Sequence, residues 1–174
     1  PLHANRDQLA MFTPMITAVR LVTVAIGLFL AAPKIIEADL VVTSAAVIVT
    51  GYSTLRALRP IGSSSGTAVV RRIVSEALLF TGLVLATGAW SSPFVYGLIT
   101  MIVVAGFAQG FTYALRAAAM VSVVIRAVEL ARASTHSVAD TQSATWTCLL
   151  LLIAVVAGVG RNLSGQADRE RDLA

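Results

Sequence analysis

Four of the ionisable side chains within the long apolar stretches of the sequence need explaining: Arg20, Glu76, Arg126 and Glu129. A charge near the centre of a membrane costs at least ~2.5–3.5 kcal/mol on insertion scales, so such residues generally face other helices and have partners. Arg20 and Glu76 carry opposite charges, and together they could form an ion pair or a polar contact for a ligand. Arg126 and Glu129 are one helical turn apart and could pair along a single helix.

The depths of Arg20 and Glu76 predict that these two side chains meet. Their apolar stretches begin at about residues 11 and 69, which puts Arg20 ~13 Å and Glu76 ~10 Å above the same face of the bundle at 1.5 Å per residue. Such a pair could be a polar switch or ligand contact, or a structural pair that fixes helix register. Alternatively, Arg20 could extend to the headgroups. Arg126 and Glu129 are predicted to lie at the opposite, outer interface.

No catalytic constellation accompanies these charges. His3 and His136 have no carboxylate or cysteine partner at ligand spacing, and the single cysteine, Cys148, lies inside an apolar stretch. Walker A, His-Glu-x-x-His and Gly-x-Ser-x-Gly patterns are missing from the sequence. We therefore expect no catalytic residue, no metal site and no cofactor. The arginines stand at helix ends rather than on one face, which argues against nucleic-acid binding.

The elements that would position these residues are six long apolar stretches. Hydrophobic residues make up 57% of the chain and charged residues 13%, whereas a soluble domain has roughly 25% charged residues. A helix needs ~20 mostly apolar residues to cross ~30 Å of hydrocarbon. The sequence predicts an all-α, polytopic membrane protein with a bundle of about six transmembrane helices. The predicted spans are 11–32, 39–58, 69–90, 93–110, 111–132 and 142–160.

Basic residues orient this predicted bundle. Arginines gather between the second and third spans and in the tail after residue 160, whereas the third connection carries no charge. The positive-inside rule therefore predicts that both termini are cytoplasmic, with Arg126 and Arg132 as exceptions at the outer side. Trp90, Phe94 and Tyr96 are predicted at the outer interface and Tyr52 at the inner one, because such rings favour the headgroup level.

The predicted domain boundaries are a cytoplasmic or interfacial segment over 1–10, a transmembrane domain over 11–160 and a cytoplasmic signalling helix that starts over 161–174. Gly158 and Gly160 lie at the inner end of the last span, and Arg161 follows as an anchor. Each glycine loosens a helix by roughly 1 kcal/mol relative to alanine. Acids and bases alternate after Ala167, as in a solvated helix or the start of a coiled coil. Because the pattern stops before a heptad is established, we expect further chain to follow.

Segment 90–110 carries a family resemblance. It contains Ser-Pro-Phe at 92–94, then an apolar span, then Ala-Gly-Phe at 105–107 and a basic entry to the next helix. This segment resembles the membrane input region of actinobacterial sensor histidine kinases, and the tail is similar to their signalling helix. The resemblance implies a two-component sensor in the bacterial plasma membrane that forms a homodimer through its last span and tail. The phosphoacceptor histidine box and ATP-binding motifs are absent, so no kinase residue is carried over.

Three functional classes follow from these observations. The leading prediction is a transmembrane sensor module that passes a lipid, small-molecule or extracellular signal to a kinase output domain not present in this chain. The alternative is a small accessory or scaffold subunit of a larger membrane complex, which would not need a charged helix that ends in mid-pattern. A transporter or lipid-modifying enzyme ranks lower, because broken helices and acidic clusters near the midplane are not evident.

The predicted topology can be tested with reporter fusions. Fusions after Gly66 and after Ala174 should both place a compartment-sensitive reporter in the cytoplasm, because basic residues cluster on that side. An external signal from either fusion would contradict the six-span arrangement.

Overall fold

The computed structural model describes residues 4–58, 66–132 and 139–173 and is all-α, as the sequence predicted. Residues 59–65 and the two histidines, His3 and His136, lie outside the described residues. The helices are α1 (Ala4–Ile36), α2 (Leu40–Leu58), α3 (Gly66–Ala86), α4 (Tyr96–Gln109), α5 (Phe111–Arg132) and α6 (Ala139–Leu173). A short 3-10 helix, Ala89–Ser91, lies between α3 and α4.

Two helices extend beyond the predicted spans. Helix α1 begins at Ala4 rather than at residue 11, so Pro14 lies well inside the helix instead of in its first turn. The predicted boundary at residue 10 followed polarity, but polar residues such as Arg and Gln are good helix formers. Helix α6 continues through Gly158 and Gly160 to Leu173 without a break. The predicted boundaries therefore correspond to the ends of the apolar segments, whereas the helices continue into polar sequence.

The contacts of α4 show how the six helices run. Helices α1, α3, α5 and α6 all pack against α4. Near its start, Pro93 O lies 3.2 Å from where a Cβ on Gly27 of α1 would be. Near its end, Gly106 faces Ala157 of α6. Ile16 of α1 belongs to the same cluster of buried apolar residues as Ala105 and Ala108. Consecutive helices are therefore antiparallel. The early part of α1 and the exit of α6 share one end, called here the Gly110 end; the other is the Trp90 end.

Helix α4 and the segment before it form the centre of the bundle. Helix α4 has 14 residues, and none of them is exposed. In the preceding segment, Trp90 and Phe94 are each only 2% exposed. The sequence placed these two rings at the outer interface; in the structure they pack inside the bundle instead of facing its surroundings. Tyr96, which packs edge-on against Trp146, is also partly buried.

Among the described residues, three helices are long and apolar enough to cross a membrane. They comprise Pro14–Ile36 of α1, Leu40–Leu58 of α2 and Thr141–Leu163 of α6. Helix α4 is apolar but shorter, and α3 carries Arg71, Arg72 and Glu76. Half of the predicted spans thus have the length and composition of membrane helices.

Two glycines provide a matched test of the packing between α3 and α4. A Cβ on Gly97 would lie 2.3 Å from ring atoms of the buried Phe80, whereas a Cβ on Gly82 would meet nothing within 4 Å. Gly97→Ala should lower the free energy of unfolding by ~1–3 kcal/mol through overpacking. Gly82→Ala should raise it by up to ~1 kcal/mol through helix propensity. Denaturant unfolding in detergent measures both, and equal stabilities would contradict this packing.

Candidate functional site

The structure brings Arg20 and Glu76 together in the interior of the bundle. Arg20 Nη2 of α1 donates a hydrogen bond to Glu76 Oε1 of α3 over 2.5 Å. The two residues are 5% and 3% exposed. Arg20 is therefore directed at Glu76 rather than at the surface of the bundle, and the two depths estimated from the sequence correspond to a real contact.

Helix periodicity explains why both charges are buried. On α3, Glu76 occupies the buried face that repeats every three or four residues, together with Val69, Ile73, Phe80 and Val84. On α1, Arg20 occupies the same kind of face with Ile16, Thr23, Gly27 and Ala31. Such a repeat is the inward stripe of a packed helix. Each charge therefore replaces an apolar core residue and depends on the other for compensation.

Helix α2 adds Tyr52 and Arg56 to this pair. Arg56 Nε donates to the Tyr52 hydroxyl over 2.9 Å, and its guanidinium carbon lies 5.0 Å from the centre of the Tyr52 ring. Both side chains interact electrostatically with the Glu76 carboxylate. We call Arg20, Tyr52, Arg56 and Glu76 the polar cluster. These two α2 members were not predicted as part of the site, because Tyr52 was interpreted as an interface ring and the arginines near the second connection as topology signals.

The polar cluster contains two guanidinium groups and one carboxylate, so its charges do not balance. Within the part of the chain that the structure describes, Arg20 Nε is buried without a hydrogen-bond acceptor, and so is Arg72 Nη1 one turn before Glu76. A buried donor without a partner costs about 1–3 kcal/mol. The cluster therefore connects three helices but leaves donor capacity unused, which suits an element with more than one arrangement.

Two threonines extend the polar contacts from α1 to α4. Thr23 Oγ1 donates to the carbonyl oxygen of Arg20 over 3.0 Å, and it lies 2.7 Å from Thr100 Oγ1. Because Thr23 donates its hydroxyl proton to the Arg20 carbonyl oxygen, the Thr100 hydroxyl donates to Thr23 Oγ1. This short chain joins the backbone next to the ion pair to the central helix.

Arg126 and Glu129 lie near the Trp90 end of α5. Arg126 Nη1 is 3.7 Å from Glu129 Oε2, with the side chains 30% and 18% exposed. One turn further on, Arg132 Nη1 donates to the carbonyl oxygen of Leu85 over 2.8 Å and ties α5 to the last turn of α3. Partly exposed pairs such as Arg126–Glu129 contribute little, about 0–1 kcal/mol. Their predicted location at the outer interface stays a prediction.

The predicted signalling exit packs closely against the corner between α4 and α5. A Cβ on Gly158 would lie 2.6 Å from Phe111 Cα, and one on Gly160 would lie 3.8 Å from the Phe107 ring. Gly110 makes this corner with φ +94°, and Arg161 Nη1 lies beside it. The cation thus stands near the C-terminus of α4, where the helix dipole favours it. Gly158 is a close-packing residue here, rather than the loosening one that the sequence predicted.

No match was found when the chain was compared with protein-family models, curated proteins and solved structures. In the described ranges, His, Cys, Asp and Glu do not form a group of three that could hold a metal ion. The fold and these contacts define an all-helical protein with an ion pair in its core and helices suited to a membrane.

A double-mutant cycle tests the energetic coupling of the buried pair. Arg20→Leu and Glu76→Leu should each lower the free energy of unfolding by about 3–5 kcal/mol, because each leaves one buried charge without its ion-pair partner. The double variant should lose much less than the sum, because it leaves neither charge. Thermal and denaturant unfolding in detergent provide the measurement.

The Arg126–Glu129 pair is the matched control. Arg126→Gln and Glu129→Gln should show a coupling energy below ~1 kcal/mol, because this pair is more exposed. Additive losses for Arg20 and Glu76 would mean that their contact contributes no coupling.

Proposed function

We propose that this chain is the transmembrane input module of a bacterial sensor, with all six helices in the plasma membrane and both termini in the cytoplasm. The observation that carries the proposal is the unbroken course of α6 from the core to Leu173. Close packing at Gly158 and the location of Arg161 beside Gly110 support it. A change in the α4–α5 corner would therefore reach the cytoplasmic end of α6 through direct contacts.

The outward surfaces of α3 and α5 support the assignment of six spans. Leu78 on α3 and Met120 on α5 are 70% and 68% exposed, and Val74, Val123 and Val124 are exposed beside them. Large contiguous apolar patches are rare on soluble monomers, because they would be exposed to water. In a membrane, lipid tails would cover such a patch. The charges on α3 occur near the Gly110 end or in the polar cluster, which leaves the rest of its outward face apolar.

The polar cluster supplies the bistable element that a sensor needs. It joins α1, α2 and α3, and the Thr23–Thr100 contact extends it to α4. A stimulus that changes the spacing of α1 and α3 would redistribute the hydrogen bonds of two arginines around one carboxylate. States that differ by a few kcal/mol are sufficient for a ligand to shift the population. The resemblance of segment 90–110 to kinase input regions favours a paired output helix in a homodimer.

A scaffold or accessory subunit is the second candidate. A buried ion pair that only fixes helix register would serve a static subunit equally well. The coding sequence beyond Ala174 distinguishes the two functions. A continuing heptad pattern followed by a kinase domain is expected for the sensor, and an immediate stop codon would favour the subunit.

The sensor proposal predicts that the phase of the exit helix controls output. One residue inserted after Gly165 should rotate everything downstream by ~100° and strongly change autophosphorylation of the full-length protein. A seven-residue insertion should largely restore the native level, because a heptad returns the coiled-coil phase. Radiolabelled phosphate incorporation in membrane vesicles measures this output.

Membrane insertion and expression of the insertion variants, measured on immunoblots, control for misfolding. If the native, one-residue and seven-residue forms have the same activity, α6 is a passive tether. The scaffold function would then be preferred.

A further inference from the structure

A lateral groove of about 320 Å³ lies between α3 and α5, away from the ion pair. Small side chains, Ala77 and Ala117, widen the space between the two helices. Leu78 and Met120 stand at its rim and are largely exposed. The groove therefore opens sideways from the bundle, towards the medium that surrounds the helices.

The length of this groove corresponds to one leaflet. Its lining runs over residues 73–81 of α3 and 113–124 of α5, or ~12 Å and ~16 Å of helix at 1.5 Å per residue. The hydrocarbon core is ~30 Å thick, so one leaflet contributes about half of that. An extended acyl chain from a single leaflet would therefore have the groove's length.

The two ends of the groove differ in polarity. Arg116 alone among the lining residues is charged, and Tyr113 lies one turn closer to Gly110. Both therefore stand in the part of α5 near the Gly110 end, whereas Val124 lines the other end of the groove. A long apolar slot with a cation and a phenol at one end complements an amphiphile whose headgroup is anionic.

We propose that the groove binds one acyl chain of an anionic phospholipid, whose phosphate is held by Arg116 with Tyr113 beside it. The lipid comes from the leaflet at the Gly110 end. The site rests on the six-span arrangement proposed above, but not on a signalling role. Ile73 and Ala77 line the groove, and Glu76 lies between them on the buried face of α3. Bound lipid thus acts on the helix that carries the core carboxylate.

The headgroup contact is tested by native mass spectrometry of the delipidated full chain in detergent with equimolar phosphatidylglycerol and phosphatidylcholine. The native protein should retain phosphatidylglycerol about fivefold better, the equivalent of one arginine at an anionic headgroup. Arg116→Gln should abolish this preference. Arg71→Gln, which removes an exposed arginine outside the groove, should preserve it. No preference in the native chain, or the same loss in both variants, would overturn the site.

The acyl contact has its own matched pair on α5. Met120 and Val123 are 68% and 67% exposed, but only Met120 lines the groove. Met120→Trp should fill the slot and lose most of the retained phosphatidylglycerol, whereas Val123→Trp should retain it. Both changes lie on the surface, and circular dichroism verifies that each variant is folded. If the two variants retain phosphatidylglycerol equally, the lipid binds outside the groove and the proposal is wrong. Because binding is measured without any output, its failure is distinguishable from failure of the sensor function.

Discussion

Helix α4 is only 14 residues long, so in a membrane its ends and the irregular segment before it would lie at hydrocarbon depth. Backbone polar groups at that depth must be covered by protein. The surrounding helices meet this requirement at residues 87–95. Ser92 Oγ accepts the amide of Phe94, Thr87 pairs with Ser92, and Gln142 Nε2 of α6 donates to the Trp90 carbonyl. Enclosure of this central element dictates where the other helices pack.

Helix α3 has a special place in this arrangement, because one face contacts the polar cluster and another lines the lateral groove. A buried ion pair is weak evidence for stability, since replacing it with apolar residues of similar volume often leaves the free energy of unfolding unchanged or raises it. Its value lies in specifying one arrangement of α1, α2 and α3. Among the described residues Arg20 Nε has no acceptor, so the pair does not use every donor that it buries. A lipid in the groove and a change in the cluster would therefore act on the same helix.

Part of the site was accessible from the sequence for a simple geometric reason. Helices α1 and α3 run in the same direction because α2 returns between them, so the distances of Arg20 and Glu76 from the same end could be counted at a fixed rise per residue. The contributions of Tyr52 and Arg56 could not be counted, because depth does not reveal which helices are lateral neighbours. The burial of Trp90 could not be predicted either, because a general preference of indole rings for interfaces does not reveal that a segment folds inward.

By itself, the sequence determined the all-α class, the number of helices and most of their bounds. These properties depend on the local length and periodicity of apolar residues. Tertiary structure decided that α4 is central, that Gly158 packs on Phe111 and that a groove separates α3 from α5. These features depend on the complementary shapes of residues far apart in the chain. The same glycine can loosen an isolated helix or allow close packing between two, and only the neighbouring surface determines which occurs.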